Sequence, residues 1–333
     1  QIESNSESTN GILLNPKTGA VLAMAGYPAF DPNNYSDYPI SSFKNNVISY
    51  QYEPGSTIKV IPYIKLKEMN KNDSLVIYCE NGEYTFPNSR RILRDHEAQD
   101  TLSIEEIVVY SSNIGIAKIS NIIGKKTIYS SFRDFGLGSK ADIELPGEER
   151  GSLRKLDSWS MNSHSMISIG QELSITNLQL AMVYSSIANG GYLLSPIIIK
   201  SMFNNDLNEE EKPYVVRKVM KYETSRLVLE TLEDVVDYGT GNNAIIPGYK
   251  IAGKTGTAEK SIDGTYSKTQ FVSSFASIFP SHSPKFVCVV SVDSPEYYKH
   301  YGNISAAPII RNIYTNLINQ NYVIENNWSR ENL

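Results

Sequence analysis

Apolar and polar positions alternate with two different periods along this chain. Near the start, Ile12-Leu13-Leu14 and Ala20-Val21-Leu22-Ala23-Met24 flank the turn Asn15-Pro16-Lys17-Thr18-Gly19, which predicts a hairpin over 11–26. Residues 28–39 carry Pro, Asn, Asp and Tyr and read as a loop. A helical period then runs from Ser56 to about Asn70, and again from Leu102 to Ile123 with a break at 111–113. Lys125 to Phe135 predicts another helix, stopped by Gly136. Residues 142–154 are a Pro-, Gly- and charge-rich connection. Thr176-Asn177-Leu178-Gln179 has the form of a capping box opening an apolar helix to Asn189, ended by Gly190-Gly191. Lys221 to Val236 is amphipathic and helical, and the turn Gly239-Thr240-Gly241 follows it. The last third changes period. Strands are predicted at 249–252, 273–278 and 286–292, with a closing helix at 308–317. The sheet is therefore built from both chain ends, with a mostly helical stretch between them.

Composition narrows the chemistry. The 333 residues suffice for one large domain or two packed lobes, and 41% hydrophobic with 20% charged residues is ordinary for a globular chain. A net charge of -5 offers no basic surface for nucleic acid. Cys79 and Cys288 are the only cysteines, and the four histidines are scattered without an HExxH pattern, so neither a metal centre nor a cysteine–histidine mechanism is expected. No apolar run approaches the roughly 18 residues of a spanning helix. The polar Gln1–Asn10 segment reads as a frayed lead-in.

Three patterns in order carry the chemistry: Ser56-Thr57-Ile58-Lys59, Ser111-Ser112-Asn113 and Lys254-Thr255-Gly256-Thr257. Alone, each is weak. Ser-x-x-Lys recurs at Ser41 and Ser152, Ser-x-Asn at Ser8 and Ser160, and Lys-Thr-Gly at Lys17, so each single hit is most simply a polar surface residue. Context separates the copies. Glu53-Pro54-Gly55 breaks the chain before Ser56, and an apolar helix follows. A serine there sits at a helix N-terminus, where free N–H groups favour negative charge; otherwise it is a plain N-cap. Lys59 lies one turn on along the same face and takes the hydroxyl proton if burial or another cation lowers its pKa. Ser111 is placed to relay a proton to a leaving amine, and Asn113 to hold a substrate amide or the lysine; the plain alternative is a pair of helix-end polar residues. Lys254 supplies charge for a terminal carboxylate, and Thr255, Gly256 and Thr257 offer a strand edge to an extended peptide; the plain alternative is an exposed edge lysine guarding against aggregation. Gly256 is expected to leave room for that peptide backbone. The N–H groups of Ser56 and Thr257 are the candidate oxyanion hole.

The ordered set resembles the penicillin-recognising serine acyltransferases. The resemblance narrows to the transpeptidase domain of monofunctional class B penicillin-binding proteins through Tyr52-Glu53-Pro54-Gly55-Ser56-Thr57, Leu145-Pro146-Gly147-Glu148, Ala188-Asn189-Gly190-Gly191, Gly239-Thr240-Gly241, Ala252-Gly253-Lys254-Thr255-Gly256-Thr257-Ala258 and Ala306-Ala307-Pro308. It implies an α/β (α+β) fold, a mainly antiparallel sheet sandwiched by helices beside an all-helical lobe inserted at roughly 65–180, with the active site in the cleft between them. Residues 11–320 would form the domain, 1–10 a flexible lead-in and 321–333 a tail.

The implied activity is D,D-transpeptidation of peptidoglycan stem peptides through an acyl-serine, with β-lactams as inhibitors and no cofactor. The alternatives are a D,D-carboxypeptidase or serine β-lactamase, and a penicillin-sensing module. The resemblance further implies an extracytoplasmic domain, a membrane anchor missing from this chain and a glycan-polymerising partner. Two positions depart from the family pattern. Glu172 stands in Gly170-Gln171-Glu172, where the family has a second glycine, and Pro62 falls inside the helix bearing Lys59, where it is expected to bend it.

Overall fold

The computed structural model describes residues 5–69, 74–87, 89–204 and 207–323. Its centre is a five-stranded antiparallel sheet. Strands β1 (Ser8–Leu14), β2 (Val21–Tyr27), β3 (Ala252–Ile262), β4 (Thr265–Phe279) and β5 (Phe286–Asp293) stand in the order β3-β4-β5-β1-β2. The two chain ends meet where β1 pairs with β5, Ile12 opposite Val289. All eight residues of β5 are buried, as a strand covered on both faces must be.

Alternation along β5 divides the core in two. Val287 and Val289 point into one hydrophobic cluster; Cys288, Val290 and Val292 point into the other. The first cluster is shared with helix α5 (Asn177–Ala188) and the helical lobe, the second with helix α7 (Ala307–Asn319). Thr176 and Gln179 form the reciprocal capping box that starts α5, with Gln179 N–H donating to Thr176 Oγ1 (3.2 Å) and Thr176 N–H to Gln179 Oε1 (3.1 Å). Every α5 residue but the last is buried, so this helix is core rather than amphipathic.

The helical lobe contains α1 (Val60–Glu68), α2 (Ile104–Val109), α3 (Asn113–Ile123) and α4 (Lys125–Asp134). The break between α2 and α3 falls at 110–112, and Ser111 there takes a left-handed φ of 61°. Short two-stranded ladders pair 76–78 with 101–103 and 83–85 with 92–94. Three-residue runs are too short for a readable period, so the expectation of an all-helical lobe omits them. Helix α6 (Tyr222–Asp237) packs against β3.

Three expectations change. Strand β1 begins at Ser8, inside the predicted lead-in, because Ser8, Thr9 and Asn10 pair with Asp293, Val292 and Ser291. The strand expected at 249–252 instead starts at Ala252 and runs to Ile262, so the strand edge expected at Lys254 to Thr257 lies well inside a longer ladder. Its Lys, Thr, Gly and Glu content hides it, although Asp263 and Gly264, both at positive φ, form the Asp-Gly hairpin turn into β4. Pro62 lies in the first turn of α1, after a 3₁₀ segment over Gly55–Lys59. A proline is tolerated there, because the interior α-helical ladder begins only beyond it. The predicted tail falls largely outside the described residues, which end at 323.

Candidate active site

The segment Gly55–Lys59 is a 3₁₀ turn opened by Gly55 at φ 54°. In this tighter helix side chains three apart eclipse one another, so Ser56 and Lys59 share one face. Ser56 is half-buried and Lys59 fully buried. The turn is pinned from both sides: Tyr184 Oη donates to the Thr57 carbonyl (2.9 Å), and Thr57 Oγ1 donates to the Pro54 carbonyl (2.9 Å).

The Lys59 ammonium reaches across to the α2–α3 turn. Nζ donates to the Ser111 carbonyl (2.6 Å), Asn113 Oδ1 (2.7 Å) and Ser111 Oγ (3.3 Å). These are three acceptors for three N–H bonds. Burial lowers the Lys59 pKa to about 7, and the Asp95 carboxylate works in the opposite sense. Lysine at that value is part neutral near pH 7 and able to accept a hydroxyl proton.

Strand β3 supplies the third wall. Lys254 is fully buried, and its pKa is held well below the lysine range by burial and by the Lys59 charge. Its Nζ is 3.4 Å from Thr240 Oγ1, which is 3.0 Å from Thr255 Oγ1. One ammonium and two hydroxyls thus converge on a place suited to a carboxylate. Among the described residues β3 ladders only with β4, so its outer edge carries no strand. The backbone of Thr257 faces the nucleophile turn: a Cβ on Gly55 would lie 3.4 Å from Thr257 N.

Gly256 serves a different purpose from the one expected. A Cβ there would come within 2.5 Å of Ser274 Oγ, 2.7 Å of the Pro54 carbonyl oxygen and 2.9 Å of Thr57 Cγ2. The missing side chain admits the protein's own nucleophile turn against β3.

The sequence alone points to no site role for Asp95, Thr240, Glu53 or Glu172. Thr240 and Glu53 stand in motifs that carry the resemblance, yet only the fold shows what they touch. Asp95 lies in a polar segment with no periodic signal. Glu172 adopts φ 60°, the conformation a glycine takes freely, and its carboxylate is held by Arg154 Nη2 (2.6 Å), Arg91 Nη1 (3.7 Å) and Ser163 Oγ (2.8 Å). Its N–H donates to Glu53 Oε1 (3.0 Å), which also accepts from Tyr266 Oη (3.0 Å). Glu53, Arg154 and Glu172 border a cavity of about 340 Å³ that is also lined by Ala258 and Lys260. A larger one, of about 570 Å³ at Asn189, Tyr222 and His282, touches none of the site residues.

A five-stranded antiparallel sheet against a helical lobe, with a serine–lysine turn at their junction, defines a penicillin-binding protein or serine β-lactamase type of fold. Residues 11–315 match the family described as the penicillin binding protein transpeptidase domain, and the chain belongs to that family. It is 33% identical over 346 residues to a peptidoglycan D,D-transpeptidase FtsI homolog of Mesostigma viride, covering 94% of this chain and 57% of that protein. It is also 33% identical over 307 residues to stage V sporulation protein D of Bacillus subtilis, covering 91% and 48%. The chain thus spans about half the length of these relatives. Among solved structures, penicillin binding protein 3 of Mycobacterium tuberculosis complexed with aztreonam superposes with a TM-score of 0.88 at 30% identity, covering 97% of this chain and 75% of that one. The transpeptidase domain of Burkholderia pseudomallei penicillin-binding protein 3 gives 0.84 at 27%, covering 98% and 92%. No helix of the described residues is long and apolar enough to cross a membrane.

Proposed function

We propose that this chain is the catalytic domain of a peptidoglycan D,D-transpeptidase and that Ser56 is its nucleophile. The donor stem peptide lies along the outer edge of β3, adding a strand. Its terminal carboxylate meets Lys254 and the Thr255 and Thr240 hydroxyls. Ser56 Oγ bonds to the penultimate D-Ala carbonyl carbon while its proton passes to neutral Lys59. The Ser56 and Thr257 N–H groups hold the developing oxyanion. The C–N bond to the last D-Ala then breaks, and Ser111 relays the proton from Lys59 to the leaving amine. An amine of a neighbouring stem peptide attacks the ester and restores Ser56. A β-lactam follows the first half of this course and stays attached.

The observation that carries the reading is the buried Lys59 ammonium, bonded to both Ser111 and Asn113 and lowered to about pH 7. The domain works, in this reading, at the extracytoplasmic face of a bacterial membrane, through an anchor outside these residues and beside a glycan-polymerising partner. Incubation with a fluorescent penicillin, intact-mass measurement and peptide mapping test the core of it. The adduct is expected on the peptide holding Ser56, and Ser56→Ala is expected to abolish it. Labelling that survives in the variant refutes the nucleophile.

A further inference from the structure

We propose that Asp95 is a positioning residue for this acyl-transfer site: by clamping the first turn of α3 it holds Ser111 and Asn113 in register with Lys59. The inference rests on the reading of Lys59 as the proton acceptor.

Asp95 follows the strand 92–94, and its own N–H donates to the Gly82 carbonyl (3.1 Å), which fixes it to the neighbouring ladder. From there the carboxylate meets the start of α3 with both oxygens. Oδ1 accepts from the N–H of Asn113 (2.5 Å) and of Ile114 (3.0 Å). Oδ2 accepts from the Ser112 hydroxyl (2.6 Å), and Ser112 Oγ in turn accepts from the Gly115 N–H (2.9 Å). The first three donors of α3 are therefore all satisfied, two of them by a charged acceptor. An adjacent contact sets the amide. Asn113 Nδ2 donates to the Arg94 carbonyl (2.8 Å), so Oδ1 is the atom turned toward Lys59.

The clamp has something to hold against. Ser111 sits at φ 61° without being glycine, a conformation that L side chains rarely adopt and that strains the backbone. That conformation aims its carbonyl at Lys59 Nζ, 2.6 Å away. Without Asp95, the turn between α2 and α3 loses the anchor that keeps this carbonyl and the Asn113 amide on one ammonium.

Charge gives the clamp a second signature. Asp95 favours the ammonium form of Lys59, burial opposes it, and the Lys59 charge in turn disfavours a charge on Lys254. Several charged groups on other elements have partners of their own. On α2, Glu105 pairs with Lys67 and Glu106 closes the Ser103 cap. Lys118 of α3 pairs with Glu80. Lys125 and Arg133 of α4 bond backbone carbonyls. Asp237 of α6 pairs with Lys250, and Tyr266 of β4 with Glu53.

The test is the rate of β-lactam acylation against pH for the wild-type chain, Asp95→Asn and Asp95→Ala, with Ser56→Ala alongside. Asp95→Asn keeps an acceptor for the two N–H groups but removes the charge. Its plateau rate is expected within a few-fold of wild type, with the acid limb moved to lower pH, because Lys59 gives up its proton more readily. Asp95→Ala is expected to lose about ten- to a hundredfold in plateau rate, the scale of a lost charge-assisted bond. An unmoved limb in Asp95→Asn together with a wild-type plateau in Asp95→Ala overturns the proposal. If Asp95→Ala does not fold, the position of the limb in Asp95→Asn decides alone. Labelling of Ser56→Ala would instead bring down the acyl-serine reading itself, a result separate from either Asp95 outcome.

Discussion

Lys59 and Lys254 are both sealed from water, and the charge on the first opposes the charge on the second. Two buried ammonium groups in one cleft cannot both be stable, since each lacks hydration and feels the other. The site resolves this by lowering both proton affinities. That places one lysine near neutrality for proton transfer and keeps its partner beside two hydroxyls, where an incoming carboxylate would favour its ammonium form.

The first prediction concerns pH. β-Lactam acylation should rise through an acid limb near pH 7, where Lys59 loses its proton. Lys59→Arg keeps a cation in place but accepts no proton, so the rate should fall by about 10²–10⁴ while the protein stays folded. Stopped-flow acylation at several pH values, with circular dichroism of the variant, checks both. The sign for stability follows from the same shift. Lys59 binds fewer protons folded than unfolded, so its contribution is lost as pH falls from 10.5 toward about 7. An acylation rate flat across neutral pH would remove Lys59 from the proton transfer.

The second prediction concerns Gly256. Gly256→Ala places a methyl within 2.7 Å of the Pro54 carbonyl oxygen and 2.5 Å of Ser274 Oγ. Overpacking of this kind costs about 1–3 kcal/mol. The outcome expected is a melting midpoint lower by a few degrees and an acylation rate reduced about tenfold or more, as β3 is pushed from the nucleophile turn. A variant with wild-type melting and acylation would show that the close approach is not needed.

The elements most legible in the sequence are those with long periods. Helix α5 announced itself by Thr176 and Gln179, and β5 by an unbroken apolar run. The first two motifs lie at helix boundaries and the third on a strand edge, and the fold brings Lys59, Ser111 and Asn113 into hydrogen bonding. What stayed hidden depends on tertiary position. Asp95 is one carboxylate in a polar segment, and nothing local tells that it meets the start of α3. Glu172 looked like a lost glycine, yet two arginines hold it in the glycine conformation. Gly256 was legible as a close approach but not as to what approaches, because the neighbour at Pro54 is some two hundred residues away in sequence.

A third prediction isolates the carboxylate pocket. Thr240→Val is nearly isosteric and removes only the hydroxyl that lies 3.0 Å from Thr255 Oγ1 and 3.4 Å from Lys254 Nζ. One hydrogen bond of about 1 kcal/mol should be lost to the substrate carboxylate, a fall of roughly five- to tenfold in the second-order acylation constant. The limiting rate at saturating β-lactam should change little, because the hydroxyl does not touch the reacting carbonyl. A fall in the limiting rate alone would contradict this assignment.

The fourth prediction concerns Glu53, three residues before the nucleophile. Burial raises its carboxyl from 4.5 to about 7, while the Tyr266 hydroxyl and the Glu172 N–H pull it back. Its buried Oε2 has no hydrogen-bond partner among the described residues. The folded chain therefore keeps a proton that the unfolded chain has released above pH 4.5. Stability must fall as pH rises from about 4.5 to about 7, and the penalty then stays constant. Glu53→Gln leaves an oxygen for Tyr266 and Glu172 and cannot ionise, so it should lack this loss. Because Glu53 is partly exposed, water screens the effect, and the variant should gain only about 1 kcal/mol over wild type between acid and mildly alkaline solution. The Lys59 contribution is common to both proteins and cancels in the difference. Urea unfolding at about pH 5 and about pH 8 measures it. Parallel pH slopes for wild type and variant would mean that Glu53 is already ionised in the folded site.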